Sequence, residues 1–223
     1  MKVLDEIQTL DYLLKNRVSL ARYGDGELRL CLGRSAKLQR PTPFLAKKLR
    51  QILQNNDRSL MVGIPRIYAP RDFPTAQKAQ FWAKYTRPPF VDLYNKDTVY
   101  GSAFITRPDS SGQIDSDYFQ RVKALWRDRE VLLVRGKLCG FAKDASIFET
   151  ASSWRELLAP DRDAFEQYEN LLISILTSTT EKTLVILSLG PTATVLASGL
   201  TGYGRQALDL GHLGMFYAKL IHK

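Results

Sequence analysis

Thr183-Leu184-Val185-Ile186-Leu187-Ser188-Leu189, then Gly190-Pro191, then a helical pattern over residues 192–200, is the stretch that decides the fold class. A short, uncharged and continuously apolar run bounded by turn residues predicts a strand covered on both faces. Gly190-Pro191 stops that strand, with Pro191 suited to the first position of a helix. Strand, tight turn and helix in succession form the repeating unit of a parallel sheet.

The same alternation extends in both directions. Downstream, Gln206-Ala207-Leu208-Asp209-Leu210 reads as a short strand, and Gly211-His212 leads into a last helix. Upstream, helical spacing of Phe165, Tyr168, Leu171, Leu172 and Ile175 predicts a helix over residues 161–178, and Val131-Leu132-Leu133-Val134 predicts another buried strand. Strands are also expected at residues 18–23, 60–64 and 98–104, with helices at 4–16, 43–56, 75–85 and 115–127. The expected fold is α/β: one domain over residues 1–223, with a mostly parallel sheet covered by helices on both faces. Such sheets bind ligands at the carboxyl ends of their strands, so the loops there are where chemistry is sought.

Composition narrows the classes. The 223 residues are 44% hydrophobic and 25% charged, the balance of an ordinary globular chain. No apolar run reaches the ~18 residues a membrane span needs. Met1-Lys2-Val3-Leu4-Asp5-Glu6 turns acidic before a signal core can form, which predicts a cytosolic protein. Cys31 and Cys139 match no metal or redox spacing and read as small core residues. With His212 and His222 the only histidines, a zinc site of the usual kind is excluded, so any metal would be magnesium or manganese held by carboxylates. Thirty-two basic against 23 acidic residues give +9, which implies an anionic partner. The basic residues, Arg66, Arg71 and Arg121-Lys123-Arg127-Arg129 among them, are scattered and match no nucleic-acid-binding motif.

Three strand ends carry candidate chemistry. In Arg22-Tyr23-Gly24-Asp25-Gly26-Glu27, two carboxylates two positions apart beside glycines can converge on one hard cation, with Arg22 balancing them or touching phosphate. On spacing alone the Asp-Gly turn is the stronger reading. In Gly190-Pro191-Thr192-Ala193-Thr194, the first turn of a helix offers free N–H groups to an anion, or is ordinary turn chemistry. Asp209-Leu210-Gly211-His212 offers an acid/base pair or a ribose or phosphate contact, although a lone histidine is more often structural. Arg107, after the strand at residues 98–104, is either a phosphate clamp or a solvated cation. Trp82, Trp126 and Trp154 read as core.

Taken together, Arg22 to Glu27, Thr106-Arg107-Pro108, Leu189 to Ala193 and Ala207 to His212 resemble the GT-D-type glycosyltransferases (DUF1792) of bacterial glycoprotein and surface-polysaccharide clusters. The resemblance runs from about residue 15 to the C-terminus. It implies a Rossmann-like fold and a D-x-E motif, Asp25 and Glu27, that binds Mn2+ (or Mg2+) together with a UDP-sugar. That tips the first loop from a turn to a metal–diphosphate site. It also places Arg22, Tyr23, Gly24, Arg107, Gly190, Pro191, Thr192 and Asp209 at the nucleotide-sugar and His212 at the chemistry; Asp144, Asp209 and His212 are the candidate bases. The implied activity moves a hexose, glucose or galactose, to a glycan acceptor on a glycoprotein or lipid carrier. The positive charge suits peripheral contact with the anionic inner face of the membrane, and no nucleic acid is expected. The metal assignment requires that Asp25 and Glu27 neither point away from each other nor lie buried in ion pairs. Two segments depart from the family pattern: Leu138 to Asp144, and Leu213-Gly214-Met215-Phe216. The rival reading is a non-catalytic module that binds a nucleotide or nucleic acid through its basic surface.

Overall fold

Eight strands form a single sheet in the order β1-β4-β3-β2-β8-β7-β5-β6, and every pairing is parallel. The computed structural model describes residues 1–66, 75–107, 115–141 and 144–222. The strands are β1 (Lys2–Val3), β2 (Ser19–Arg22), β3 (Leu60–Ile64), β4 (Val99–Ser102), β5 (Glu130–Gly136), β6 (Ser153–Ala159), β7 (Leu184–Ser188) and β8 (Ala207–Asp209). The helices are α1 (Glu6–Asn16), α2 (Asp25–Cys31), α3 (Pro43–Leu53), α4 (Ala76–Ala83), α5 (Ser116–Lys123), α6 (Tyr168–Ser178), α7 (Pro191–Gly202) and α8 (Leu213–Ile221).

The core alternates across the sheet with the strand period of two. Ala21, Val62, Leu132, Val134, Val185, Leu187 and Ala207 face one layer, where α2, α3, α6 and α7 pack. Leu20, Met61, Val131, Leu133, Leu184, Ile186 and Leu208 face the other, against α1, α5 and α8. The central strand β7 is buried along its whole length, as its uncharged run predicts.

Several elements differ from the sequence reading. The chain after β2 does not loop: Gly24 caps a helix that begins at Asp25, and the Glu27 carboxylate accepts the Gly24 N–H at 2.7 Å. Strand β6 has no counterpart in that reading, because an edge strand with mostly exposed residues carries no apolar run. The expected strand over 98–104 gives way at Ala103 to a 3-10 turn, Ala103–Thr106. The expected helix over 161–178 begins with another, Ala164–Gln167. Cys31 is core, whereas Cys139 is half-buried at the end of β5. Trp82 and Trp126 are buried; Trp154 lies on β6, half-buried, stacked 4.9 Å from Phe148. Arg71 and Pro108 lie outside the described residues.

Candidate active site

Strands β2, β8 and β7 are neighbours, so their carboxyl ends bring Arg22, Asp209 and Ser188 together. Arg22 is the hub of this edge. Its Nε donates to the Asp209 carbonyl at 2.7 Å, one terminal nitrogen to the Asp209 carboxylate at 3.0 Å, and the other to the Ala103 carbonyl at 3.2 Å. One guanidinium thereby ties the ends of β2 and β8 to the turn that follows β4. Thr194, in the first turns of α7, donates to the Arg22 carbonyl at 2.9 Å and lies 3.4 Å from the other Asp209 oxygen. Gly211 makes room for this arrangement: its φ is +45°, and a Cβ there would lie 2.2 Å from the Arg22 guanidinium.

The two carboxylates of the D-x-E motif occupy different surroundings. Asp25, the first residue of α2, is exposed, and no ion pair engages it among the described residues. Glu27 is half-buried with one oxygen committed to Gly24. Burial pushes its carboxyl up to about 7, and the nearby Asp209 carboxylate adds to the rise against the pull of Arg22. Burial likewise raises Asp209 above the ordinary carboxylate range, with Arg22 opposing. Neither Asp25 nor Glu27 forms an ion pair among the described residues, while Asp25 acts on the Tyr85 hydroxyl and Glu27 faces Asp209 and Arg22.

The other sequence-derived positions divide into neighbours of this edge and residues beneath it. Gly24 and Gly190 cap α2 and α7, and a Cβ on Gly26 would lie 3.9 Å from Pro191, so the two helix starts adjoin. Gly190 has φ +54° and is only half-buried. His212 is exposed at the start of α8, and Arg107 holds its guanidinium 5.6 Å above the Phe216 ring of the same helix. Tyr23, by contrast, points into the core, with its hydroxyl donating to the Leu49 carbonyl at 2.7 Å. Thr192 is buried, 3.3 Å from the Gln39 side-chain oxygen. Asp209 sits below the crevice, committed to Arg22. Strand ends point into the crevice only alternately, which is why a motif read along the chain mixes surface and core positions.

Some contributors carry no sequence signal. Gln39 lies in a polar stretch, yet its buried amide oxygen also accepts the Phe165 N–H at 3.2 Å. It anchors the segment over residues 33–40, whose Leu38 would lie 3.6 Å from a Cβ on Gly190. Ser188 donates to the Gly211 carbonyl at 2.6 Å and meets Cys139 Sγ at 3.0 Å. Cys139 belongs to the first departing segment, of which Ala142 and Lys143 lie outside the described residues. Asp144 is held below its usual range, chiefly by its hydrogen bonds to Ser146, and pairs with His222 at 3.2 Å. In the second departing segment, Gly214 permits a close approach: a Cβ would fall 2.0 Å from the Phe141 carbonyl oxygen.

A doubly covered parallel sheet with adjoining helix starts, an exposed carboxylate and an arginine at its carboxyl edge defines the class: an α/β protein of the kind that binds ligands at its strand ends. The chain belongs to the glycosyltransferase family with the GT-D fold, whose family model matches residues 20–222. It is 31% identical over 97% of its length to a Streptococcus gordonii protein described as "Probable glycosyl transferase Gly", and 31% identical, again over 97%, to the glycosyltransferase GlyD of Streptococcus pneumoniae. It spans 33% and 27% of the lengths of those two relatives. Among solved structures it superimposes, at 33% identity and a TM-score of 0.92, on the domain of unknown function 1792 with a distinct glycosyltransferase fold, covering all of this chain and 82% of that one. A glycosyltransferase (DUF1792) structure from Streptococcus sanguinis, 30% identical, gives a TM-score of 0.91 with 100% and 85% coverage.

Proposed function

We propose that the chain transfers a hexose, glucose or galactose, from a UDP-sugar to a hydroxyl of a glycan acceptor on a glycoprotein or lipid carrier at the cytoplasmic side of the membrane. The observation that carries this reading is Asp25: an exposed carboxylate in the first turn of α2, adjoining the start of α7 at the strand-end crevice.

Among the described residues no group of three or more His, Cys, Asp or Glu gathers. Two carboxylates, one open and one half-committed, fit a hard cation that shares its remaining positions with substrate phosphates and water, as Mg2+ and Mn2+ do. Asp25 would hold it, with Glu27 contributing the oxygen not bonded to Gly24. Such an ion, when bound, neutralises the diphosphate leaving group and acts as a Lewis acid.

The protein's own groups do the rest. At the start of α7, where Pro191 has no N–H and the Ala193 N–H donates to the Gly190 carbonyl, the Thr192 N–H would meet a phosphate oxygen, and the helix dipole favours the negative charge there. Arg107 adds a cation at the rim. Arg22 acts indirectly by holding the strand ends in register. Asp144, Asp209 and His212 are the candidates for the group that takes the acceptor proton; Asp209 is engaged by Arg22, and Asp144 by Ser146 and His222. The net charge of +9 would favour contact with an anionic membrane face, and no helix among the described residues is long and apolar enough to cross one.

Calorimetric titration of UDP, with manganese and again with EDTA, tests the donor site. Binding that needs manganese and is lost in Asp25→Ala supports it; equal binding in EDTA, or none at all, overturns it.

A further inference from the structure

Away from the strand ends, α3, α6 and α7, with the segment that leads into β3, border a solvent-open cavity of about 300 Å³. Val195, Ser198, Gly199, Thr201 and Gly202 of α7 line it, so it runs from about 6 Å to about 16 Å down the helix from Pro191, at 1.5 Å per residue. A water occupies about 30 Å³, so the space suits a small organic ligand.

Its lining has a definite chemistry. Gln51, Asn55 and Ser198 line the cavity with amide and hydroxyl groups beside the apolar Ile52 and Val195, and the Thr201 hydroxyl donates to the Ala197 carbonyl at 2.7 Å. The charged members, Lys48 and Asp57, are one of each sign, so the cavity has no net attraction for a phosphate or a nucleotide. Asp57 is further occupied by the Ser59 N–H and hydroxyl, at 2.8 and 2.7 Å.

A second, independent feature points to a ligand. Tyr168 is more than nine-tenths buried and lines the cavity, yet its hydroxyl has no hydrogen-bond partner among the described residues. The ring is buried while the hydroxyl oxygen keeps contact with solvent, so the cavity is where a partner would reach it. The hydroxyl points at Gly199, where a Cβ would lie 2.4 Å away. A side chain at that position would displace it. Lys48 caps the ring face, with its Nζ 5.2 Å from the centroid, leaving the hydroxyl as the group turned to the cavity.

We propose that this cavity is a second saccharide-binding site, which takes an uncharged hexose unit through the Tyr168 hydroxyl and the surrounding amides and hydroxyls. An amphipathic lining, with its amide and hydroxyl groups, and charge neutrality match a sugar ring, with its apolar faces and polar rim. That the sugar belongs to the acceptor glycan rests on the glycosyltransferase reading above; the site itself does not. Its position would let one glycan arm anchor on the helical face while another end reaches the strand-end crevice.

Saturation-transfer NMR with maltose, lactose and cellobiose tests the site on the whole chain, beside Tyr168→Phe and Gly202→Leu. The first variant deletes one oxygen and keeps the packed ring. The second fills the cavity from a position where a Cβ meets nothing within 4 Å. At least one disaccharide is expected to bind, about fivefold more weakly in Tyr168→Phe and undetectably in Gly202→Leu. UDP titrated into the same samples reads the donor site separately and should be identical in all three. No disaccharide signal from the unmodified chain, equal affinity in both variants, or displacement of the disaccharide by UDP would each overturn the proposal.

Discussion

The strand-end crevice has a locked half and an open half. In the locked half, Arg22, Asp209 and Thr194 satisfy one another beneath the surface, with the Arg22 and Asp209 side chains only 14% and 5% exposed. In the open half, Asp25 and His212 are solvent-facing, and Arg107 is half-buried over Phe216. The contrast separates two tasks that a motif runs together. Groups fixed by partners set geometry but have no bonding capacity left for a ligand, whereas exposed groups can bind but cannot by themselves hold a position.

Mutations in the two halves should therefore fail in opposite ways. The largest effect on stability is expected from Arg22→Ala, which strands the Asp209 carboxylate in the interior. Breaking a buried pair from one side costs about 3–5 kcal/mol, or about 6–20 °C in melting temperature for a chain of this size. Differential scanning calorimetry reads it, and a shift below 3 °C would place Arg22 with the open half.

Gly211→Ala comes next. It combines a positive φ with a Cβ driven into the same guanidinium, for about 1–3 kcal/mol. Urea denaturation should show it, and pairing it with Arg22→Ala should give less than the sum of the two, because both act on one contact.

Glu27 lies on the boundary between the halves, and its signature is pH. Its carboxyl titrates near 7 when folded and near the ordinary 4.5 when unfolded. Between those values the folded state retains a proton that the unfolded state has lost. This contribution to stability is therefore full below about pH 4.5 and lost as pH rises through about 7. Glu27→Gln keeps an acceptor for the Gly24 N–H and removes the titration. Its melting temperature relative to the unmodified chain should climb between pH 5 and 8; a constant difference would show that Glu27 is ionised throughout.

Asp25→Ala should be the mildest for the fold, within about 0.5 kcal/mol, as for an exposed side chain without an ion pair. If metal-dependent UDP binding survived unchanged, the open half would not be the donor site.

How much of this could be read from the sequence follows the same divide. Buried strands announce themselves: β3, β5 and β7 are continuous apolar runs and lie where the pattern puts them. Strand β6 is invisible to that signal, since Ser153, Arg155, Glu156 and Leu158 are exposed along one edge of the sheet. Asp25-Gly26 has the composition of a turn, and only the capping contact from Glu27 makes it the start of a helix. For the site, residue types pointed to the strand ends, but side-chain direction did not follow from them. Tyr23 adjoins Arg22 and Gly24 in sequence yet faces Leu49, because neighbouring positions at a strand end point to opposite sides. The Tyr168 cavity left no trace at all, being assembled from three helices and the segment before β3, whose residues are individually ordinary.

The Arg22–Asp209 contact also has a consequence for how the protein is made. It joins residues 187 positions apart, and β8 is the strand that closes the gap between β2 and β7. During synthesis, β2 to β7 leave the ribosome before that strand exists, so two sheet edges wait unpaired and a guanidinium waits without its counter-ion. Non-local closure of this kind is slow and exposes apolar edges to association. Nascent chains stalled before Ala207 should be the ones on which chaperones linger.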